Sequence, residues 1–514
     1  MPKVALDEQL LLWTIDHVTK YGDNDIFPPV LELEFFKSKR IEVAASLAQI
    51  DLHQHRPISL TESLVPKSKV GFRLGHQIYP SDAILFTAAT ITIAGDIESH
   101  RSDSAFSYRF HQQPDGNLFS AEHRYRDWLH TQKVVLGFDG DVDHVVTTDI
   151  ADFYGRIYHH RLENCLVDYA GESAFSAYIL KCIRDWRSRQ SFGLPVGGNA
   201  ARILAEALLC DVDNALRSHG WKHSRYVDDI VIHVRKGQDP YVGLAFLAEQ
   251  LSTSEGLSLN SQKTRIWSKV AYLEKLDVFA GETAEEAEEG ATEQLFWDAY
   301  GQEEPDEEAL AELKARDLLG ELDKELEQEP WNSGRIKVLL YAVRLTKPLA
   351  AAGFVRSRFA DLLPFIKEVA LLMRELTTSG DASFSGEGGL IVSELLGPRA
   401  MHLPMVRAWL WYLLVNEVVA ISLEEVNQLS RLDHVLDRRG EYLLRMKLKD
   451  LTFFRRQKSR IDELSPWLQP VLLYSSKCLP RDEYRTWIGN VRGRLRFPLP
   501  GLFCDWCLEL ADTQ

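Results

Sequence analysis

The chain has 514 residues, 45% hydrophobic and 26% charged, enough for two or three domains with full cores. No apolar run is long enough to span a bilayer and the N-terminus has no signal-peptide pattern. Six cysteines in this length are not a disulfide framework, so a reducing cytoplasm is expected. The net charge of −16 would argue against a nucleic-acid enzyme, but residues 281–330 alone carry 19 acidic and 3 basic side chains. The remaining charge is close to balanced, so local fields decide phosphate binding.

In chain order, residues 1–280 read as an α+β region. We divide it into an N-terminal part (1–120) and a part bearing sequence motifs (121–280). Val145 to Ile150 and Ile230 to Val234 are rich in β-branched residues and predict strands. Ser176 to Arg187 and Ala200 to Ala215 predict helices between them. The acidic stretch within 281–330 predicts a solvated linker that becomes helical near Leu310 to Leu326. The other reading is a mimic of nucleic-acid charge.

Residues 331–514 predict an almost wholly helical domain. Apolar residues recur at helical spacing in Val338-Leu339-Leu340, Leu362-Leu363-Phe365-Ile366 and Trp409 to Leu414. Thr378 to Asp381 and Gly397-Pro398 supply turns. A HEAT-like array of helix pairs would fit, although no clean repeat shows. Basic residues cluster at Arg455-Arg456 and at Arg494 and Arg496, interleaved with Phe453, Phe454 and Phe497. They predict either a track for single-stranded DNA or a charged outer face. Cys504 and Cys507 form a lone CxxC and predict buried thiols on a helix, not a zinc site.

Three signals in 121–280 carry chemistry. Tyr226-Val227-Asp228-Asp229 between strand formers predicts a hairpin turn with two adjacent carboxylates. Adjacent acids repel each other, and a shared cation removes the difficulty. Asp149, at the end of an earlier strand, supplies a third acid, with Asp152 its competitor for the role. Three such acids suit two-metal phosphoryl transfer, for which Mg²⁺ is held by carboxylates and substrate phosphates. Gly193-Leu194-Pro195-Val196-Gly197-Gly198-Asn199 predicts a loop that lets backbone approach a substrate, with Asn199 as cap of the next helix. His53, His55, His159 and His160 lack carboxylates at ligand spacing and predict ordinary histidines.

The order Asp149…Tyr154, Gly193-Leu194-Pro195-x-Gly197, Tyr226-Val227-Asp228-Asp229, then Leu259-Asn260-x-x-Lys263-Thr264, resembles the palm of reverse transcriptases. The closer resemblance is to bacterial abortive-infection (Abi) and defence-associated reverse transcriptases, on Gly193 to Gly197 running into Arg202-Ile203-Leu204-Ala205-Glu206. It implies a fingers–palm fold followed by the helical domain. It implies that Asp149, Asp228 and Asp229 are catalytic, and that these with Ile150 bind two Mg²⁺ ions, Mn²⁺ being the alternative. Tyr154 matches the aromatic gate that selects deoxynucleotides. Lys69, Arg73, Gly193, Pro195, Gly197 and Lys263 match nucleotide-binding positions, and Pro80, Asp82 and Tyr108-Arg109-Phe110 fit the fingers.

The resemblance further implies dNTPs as substrates, a homo-oligomer, and single-stranded DNA attached through a protein tyrosine, made without a template in anti-phage defence. Val196 stands where retroviral and intron enzymes usually carry glutamine, which puts ordinary template handling in doubt. The rival expectations are copying of a bound noncoding RNA and, from another class, a non-catalytic nucleic-acid-binding scaffold.

Overall fold

The computed structural model describes residues 3–22, 24–280, 307–329, 331–380 and 384–512. The chain forms two compact units. The first comprises residues 1–4, 52–56 and 86–317; the second comprises 5–51, 57–85 and 318–514.

The first unit is built on a four-stranded antiparallel sheet. Its strands are β3 (Val142–Asp149), β4 (Lys222–Tyr226), β5 (Asp229–Arg235) and β6 (Arg265–Ser268), in the order β4-β5-β3-β6. Runs of β-branched residues make β3 and β5 the inner pair, since both faces of an inner strand can be buried. Val145 and Val231 pack on one face with Trp128, Leu136, Tyr272 and Leu276. The predicted strand of 145–150 begins three residues earlier, at Val142.

Helices Ala174–Trp186 and Asn199–Ser218 occupy the predicted helical runs. Gly198, not Asn199, caps the second, and no side chain closes that cap. Asn199 is its first helical residue and accepts from Arg202 at 2.6 Å. Gly198 takes the cap because its extended backbone lets the loop turn into the helix.

In the second unit, hairpin strands β1 (Thr61–Pro66) and β2 (Phe72–Gln77) pack with the C-terminal helices: Ser63 Oγ accepts from Met405 N at 2.8 Å. N-terminal helices join the same unit. Glu32 receives the Arg439 guanidinium at 2.6 and 3.0 Å, and Trp409 donates to the Ile26 carbonyl at 2.9 Å. The helix expected near Leu310 to Leu326 is two, Glu307–Ala315 and Leu318–Glu327, broken at Arg316-Asp317. The rest of the acidic stretch, 282–306, lies outside the described residues. The run Leu362 to Ile366 joins two helices through a 3₁₀ turn with Pro364 in it. Among the described residues no helix is long and apolar enough to cross a membrane.

Candidate active site at the sheet end

Register brings the acids together. Asp149, last in β3, lies directly opposite Asp229, first in β5. Such antiparallel partners have Cα atoms about 4.5 to 5.5 Å apart and side chains on one face. Tyr226 of β4 pairs with Asp229 on its other side, so Val227 and Asp228 form a two-residue turn. The Asp228 carbonyl accepts from Ile150 N at 3.1 Å, tying the turn to the end of β3.

The local electrostatics are those of acids held too close. Burial first, then neighbouring Asp228 and Asp149, push the Asp229 carboxyl up from its ordinary 3.8 to about 7. Asp149 is 4% exposed. Its carboxylate receives the Lys263 ammonium and, at 3.3 Å, the Asn260 side-chain amide. Asn260 N also donates to the Asp149 carbonyl at 2.7 Å, and Leu259 bridges Ile150. The segment Leu259 to Lys263 is therefore bound to the Asp149 strand end through backbone and side chain together. Burial lowers the Lys263 pKa, but the Asp149 hydrogen bond and the three nearby carboxylates outweigh it, and the net shift is upward.

Tyr154 follows β3 in the short helix Phe153–Arg156. Its hydroxyl is pushed well above the ordinary range by burial first, then by Tyr108, Glu206 and Asp228 nearby. Its carbonyl accepts from Leu194 N at 2.9 Å, and Gly193 N donates to Ile157 at 2.8 Å. Gly193 (φ +94°) and Gly197 (φ +126°) have backbone that only glycine adopts readily. A Cβ at Gly193 would also stand 3.3 Å from the Gly155 carbonyl. Pro195 is buried between them, so this loop forms a wall beside Tyr154.

Asp152 is exposed, in left-handed backbone, and faces Arg156 at 3.5 Å. His159 is bound to the Gly193 carbonyl at 3.0 Å, and His160 lies beside Glu163. The carbonyls of His53 and His55 receive Lys181. Arg109, read as a fingers residue, pairs with Glu98 at 2.7 Å and with the Ser102 carbonyl.

The other expected contacts belong to the second unit. Lys69, in the β1–β2 turn, pairs with Glu329 and lies over the Trp331 ring at 5.4 Å. Arg73 is exposed on β2, and Asp82 is buried, accepting from Ile58 N at 2.7 Å. Phe453, Phe454 and Phe497 are buried in the helical core, which corrects the expectation that they offer rings to nucleobases. Arg455 pairs with Glu483 and Arg494 with Asp462. Arg496 binds the Asp462 and Leu464 carbonyls, and Arg456 is exposed. Cys504 and Cys507 are buried on the helix Pro500–Asp512.

Among the described residues no group of three or more His, Cys, Asp or Glu side chains forms a ready-made metal cage. The expected convergence of three acids around ions is thus not preformed. The Asp149 carboxylate is bonded to Lys263 instead. The donor set nevertheless fits a hard divalent cation: it is all carboxylate, and burial together with Asp228 and Asp149 pushes the Asp229 carboxyl up to about 7. Mg²⁺ takes only a few protein carboxylates and completes its shell with water and phosphate, so a closed cage is not required.

Sequence reasoning gave no role to several groups that build the site. Asn260 stands inside the Leu259-Asn260-x-x-Lys263-Thr264 motif. Ser107, Glu206, Asp213 and Arg225, buried under the Val227-Asp228 turn, come from segments about 120 residues apart. Glu206 and Asp213, acids inside the apolar helical run that follows Asn199, are the two with a local signal.

Residues 65–277 match the protein family described as "Reverse transcriptase (RNA-dependent DNA polymerase)". No curated protein matches the chain. Residues 65–277 thus match a reverse-transcriptase domain and a mostly helical region follows them, and the match supports a nucleotidyl-transferring polymerase.

Proposed function

We propose that the chain is a DNA polymerase of the reverse-transcriptase kind, adding deoxynucleotides at a palm formed by the β3–β5 sheet end. The observation that carries this reading is the pairing of Asp149 with Asp229 across neighbouring strands, with Asp228 in the adjoining turn. Asp149, Asp228 and Asp229 would hold Mg²⁺, which when bound activates the attacking hydroxyl and neutralises the triphosphate. Asn260 and Lys263 orient the Asp149 carboxylate. The Gly193–Gly197 loop, free of Cβ atoms at its two glycines, lets the sugar lie against backbone. Tyr154 beside it fills the space a ribose 2′-hydroxyl would need.

The finer reading is synthesis primed by a protein tyrosine, without a template, in anti-phage defence. It is supported by Val196, which offers no polar contact to a template-paired base, and by the resemblance of the Gly193 to Glu206 segment to Abi enzymes. Incubating the pure protein with labelled dNTPs and Mg²⁺ tests both levels. Label that migrates with denatured protein and is released by nuclease supports priming on the chain. A product of defined complementary sequence would instead mean copying of a bound RNA.

Asp149→Ala and Asp228→Ala are each expected to reduce incorporation by more than about a thousandfold with the fold retained. Normal synthesis by both variants sinks the polymerase reading. Tyr154→Ala is expected to raise ribonucleotide over deoxynucleotide use by roughly tenfold or more, a difference of about 1.4 kcal/mol in discrimination. An unchanged ratio would move the gate to another residue.

A further inference from the structure

The turn that carries Asp228 is strained and is held from beneath. Val227 has φ +56°, left-handed backbone that a β-branched residue rarely adopts. Such strain persists only where the surroundings over-determine it. Both polar backbone atoms of Val227 are tied to buried side chains. Its N–H donates to Ser107 Oγ at 2.8 Å, and its carbonyl accepts from the Arg225 guanidinium at 2.9 Å.

Those two side chains belong to one network. Ser107 Oγ donates to Glu206 at 2.6 Å. Glu206 also receives Arg101 at 2.9 Å and Arg225 at 3.0 Å. Arg225 grips Asp213 at 2.7 and 3.0 Å, and His223 reaches the same carboxylate at 3.2 Å. Burial alone would raise the Asp213 pKa, but Arg225 and His223 reverse it and hold the carboxyl well below the usual range. Ser107, Glu206, Asp213 and Arg225 are all buried to within 2% of complete.

Burying ion pairs this deeply gains little stability over apolar packing, so their value here is geometric. Arg101 also meets Glu98 at 3.0 Å and Glu98 meets Arg109 at 2.7 Å, so three arginines face three carboxylates and the formal charges of the pairs cancel. The network therefore acts on Asp228 and Asp229 through the two hydrogen bonds to Val227, not by supplying charge.

Resting on the polymerase reading, we infer that Ser107, Glu206 and Arg225 are positioning residues that set the pitch of the Val227-Asp228 turn and hence the divalent-cation affinity of the acids. Ser107→Ala is the sharpest probe. It removes one hydroxyl and leaves Arg101 and Arg225 paired.

The measurements are Mn²⁺ binding by electron paramagnetic resonance of the free ion, the rate of dNTP incorporation, and the thermal midpoint. Expected are Mn²⁺ affinity and rate each reduced roughly tenfold with the protein fully folded, since small misplacements at a reacting centre are costly. Ser107→Thr, which keeps the hydroxyl, restores both. If the alanine variant does not fold, Ser107→Cys, a weaker hydrogen-bonding group, takes its place with the same expectation.

Wild-type Mn²⁺ affinity and rate in Ser107→Ala overturn the inference, as do losses that only track the unfolded fraction. Wild-type protein that binds Mn²⁺ yet incorporates nothing overturns the polymerase reading instead, and the Mn²⁺ comparison still decides the positioning role.

Discussion

Buried acids are compensated by arginines in both units, as Arg225 does for Glu206 and Asp213 in the first, and the end of the β3–β5 sheet departs from that rule. In the helical unit the buried acids Glu32, Asp437 and Glu441 each meet an arginine. Asp437 takes Arg407 at 2.8 and 2.9 Å and the Trp411 indole at 3.0 Å. Glu441 takes Arg445 at 2.9 Å, and Glu32 takes Arg439. At the end of the β3–β5 sheet, burial first and then the neighbouring Asp228 and Asp149 raise the Asp229 carboxyl to about 7, against the opposing pull of Lys263 and Lys275. A compensated acid is architecture. On the proposed polymerase reading, an acid beside other acids is where a cation from outside would complete the charge balance.

The contrast can be tested on each side. The largest expected effect is in the helical unit, where Asp437→Ala leaves the Arg407 guanidinium buried with only the Ala400 and Met401 carbonyls. Folding stability is expected to fall by about 3–5 kcal/mol in denaturant titration. A cost below about 1 kcal/mol would show that the compensated pairs hold little.

The smaller effect is at the sheet end and has the opposite logic. Because the folded form holds the Asp229 proton more tightly than the unfolded chain does, metal-free protein loses stability as pH rises from about 4 to about 7. The full shift corresponds to about 4 kcal/mol, and solvent screening at this half-buried carboxyl brings the loss to the order of 1 to 3 kcal/mol. On the proposed reading Mg²⁺ is expected to oppose it above pH 7, where the carboxylate is ionised. In Asp229→Asn both the slope and the Mg²⁺ response are expected to shrink, read from thermal midpoints across pH. Identical profiles in variant and wild type would erase the contrast.

Local sequence carried the acids because their signals are local. Two aspartates between β-branched strands specify a turn, and Asp149 ends a strand whose register then follows from antiparallel pairing. The supports were not legible, since Ser107, Glu206, Asp213 and Arg225 meet only after the chain has folded. The same holds for residues 5–51, which pack with C-terminal helices hundreds of positions away. A salt bridge such as Glu32–Arg439 leaves no periodicity to read. Phe453 and Phe454 misled for a related reason. Aromatic residues beside arginines look alike whether the rings face a ligand or a core.

The order β4-β5-β3-β6 places both acid-bearing strands inside the sheet, each hydrogen-bonded on two sides. Fraying of a sheet begins at its margins, where only one neighbour resists opening. Asp149 and Asp229 close the ends of β3 and β5, with Tyr226 of β4 beside Asp229 and Leu259 bridging Ile150, so any opening of the sheet at that end reaches the acids through those two neighbours.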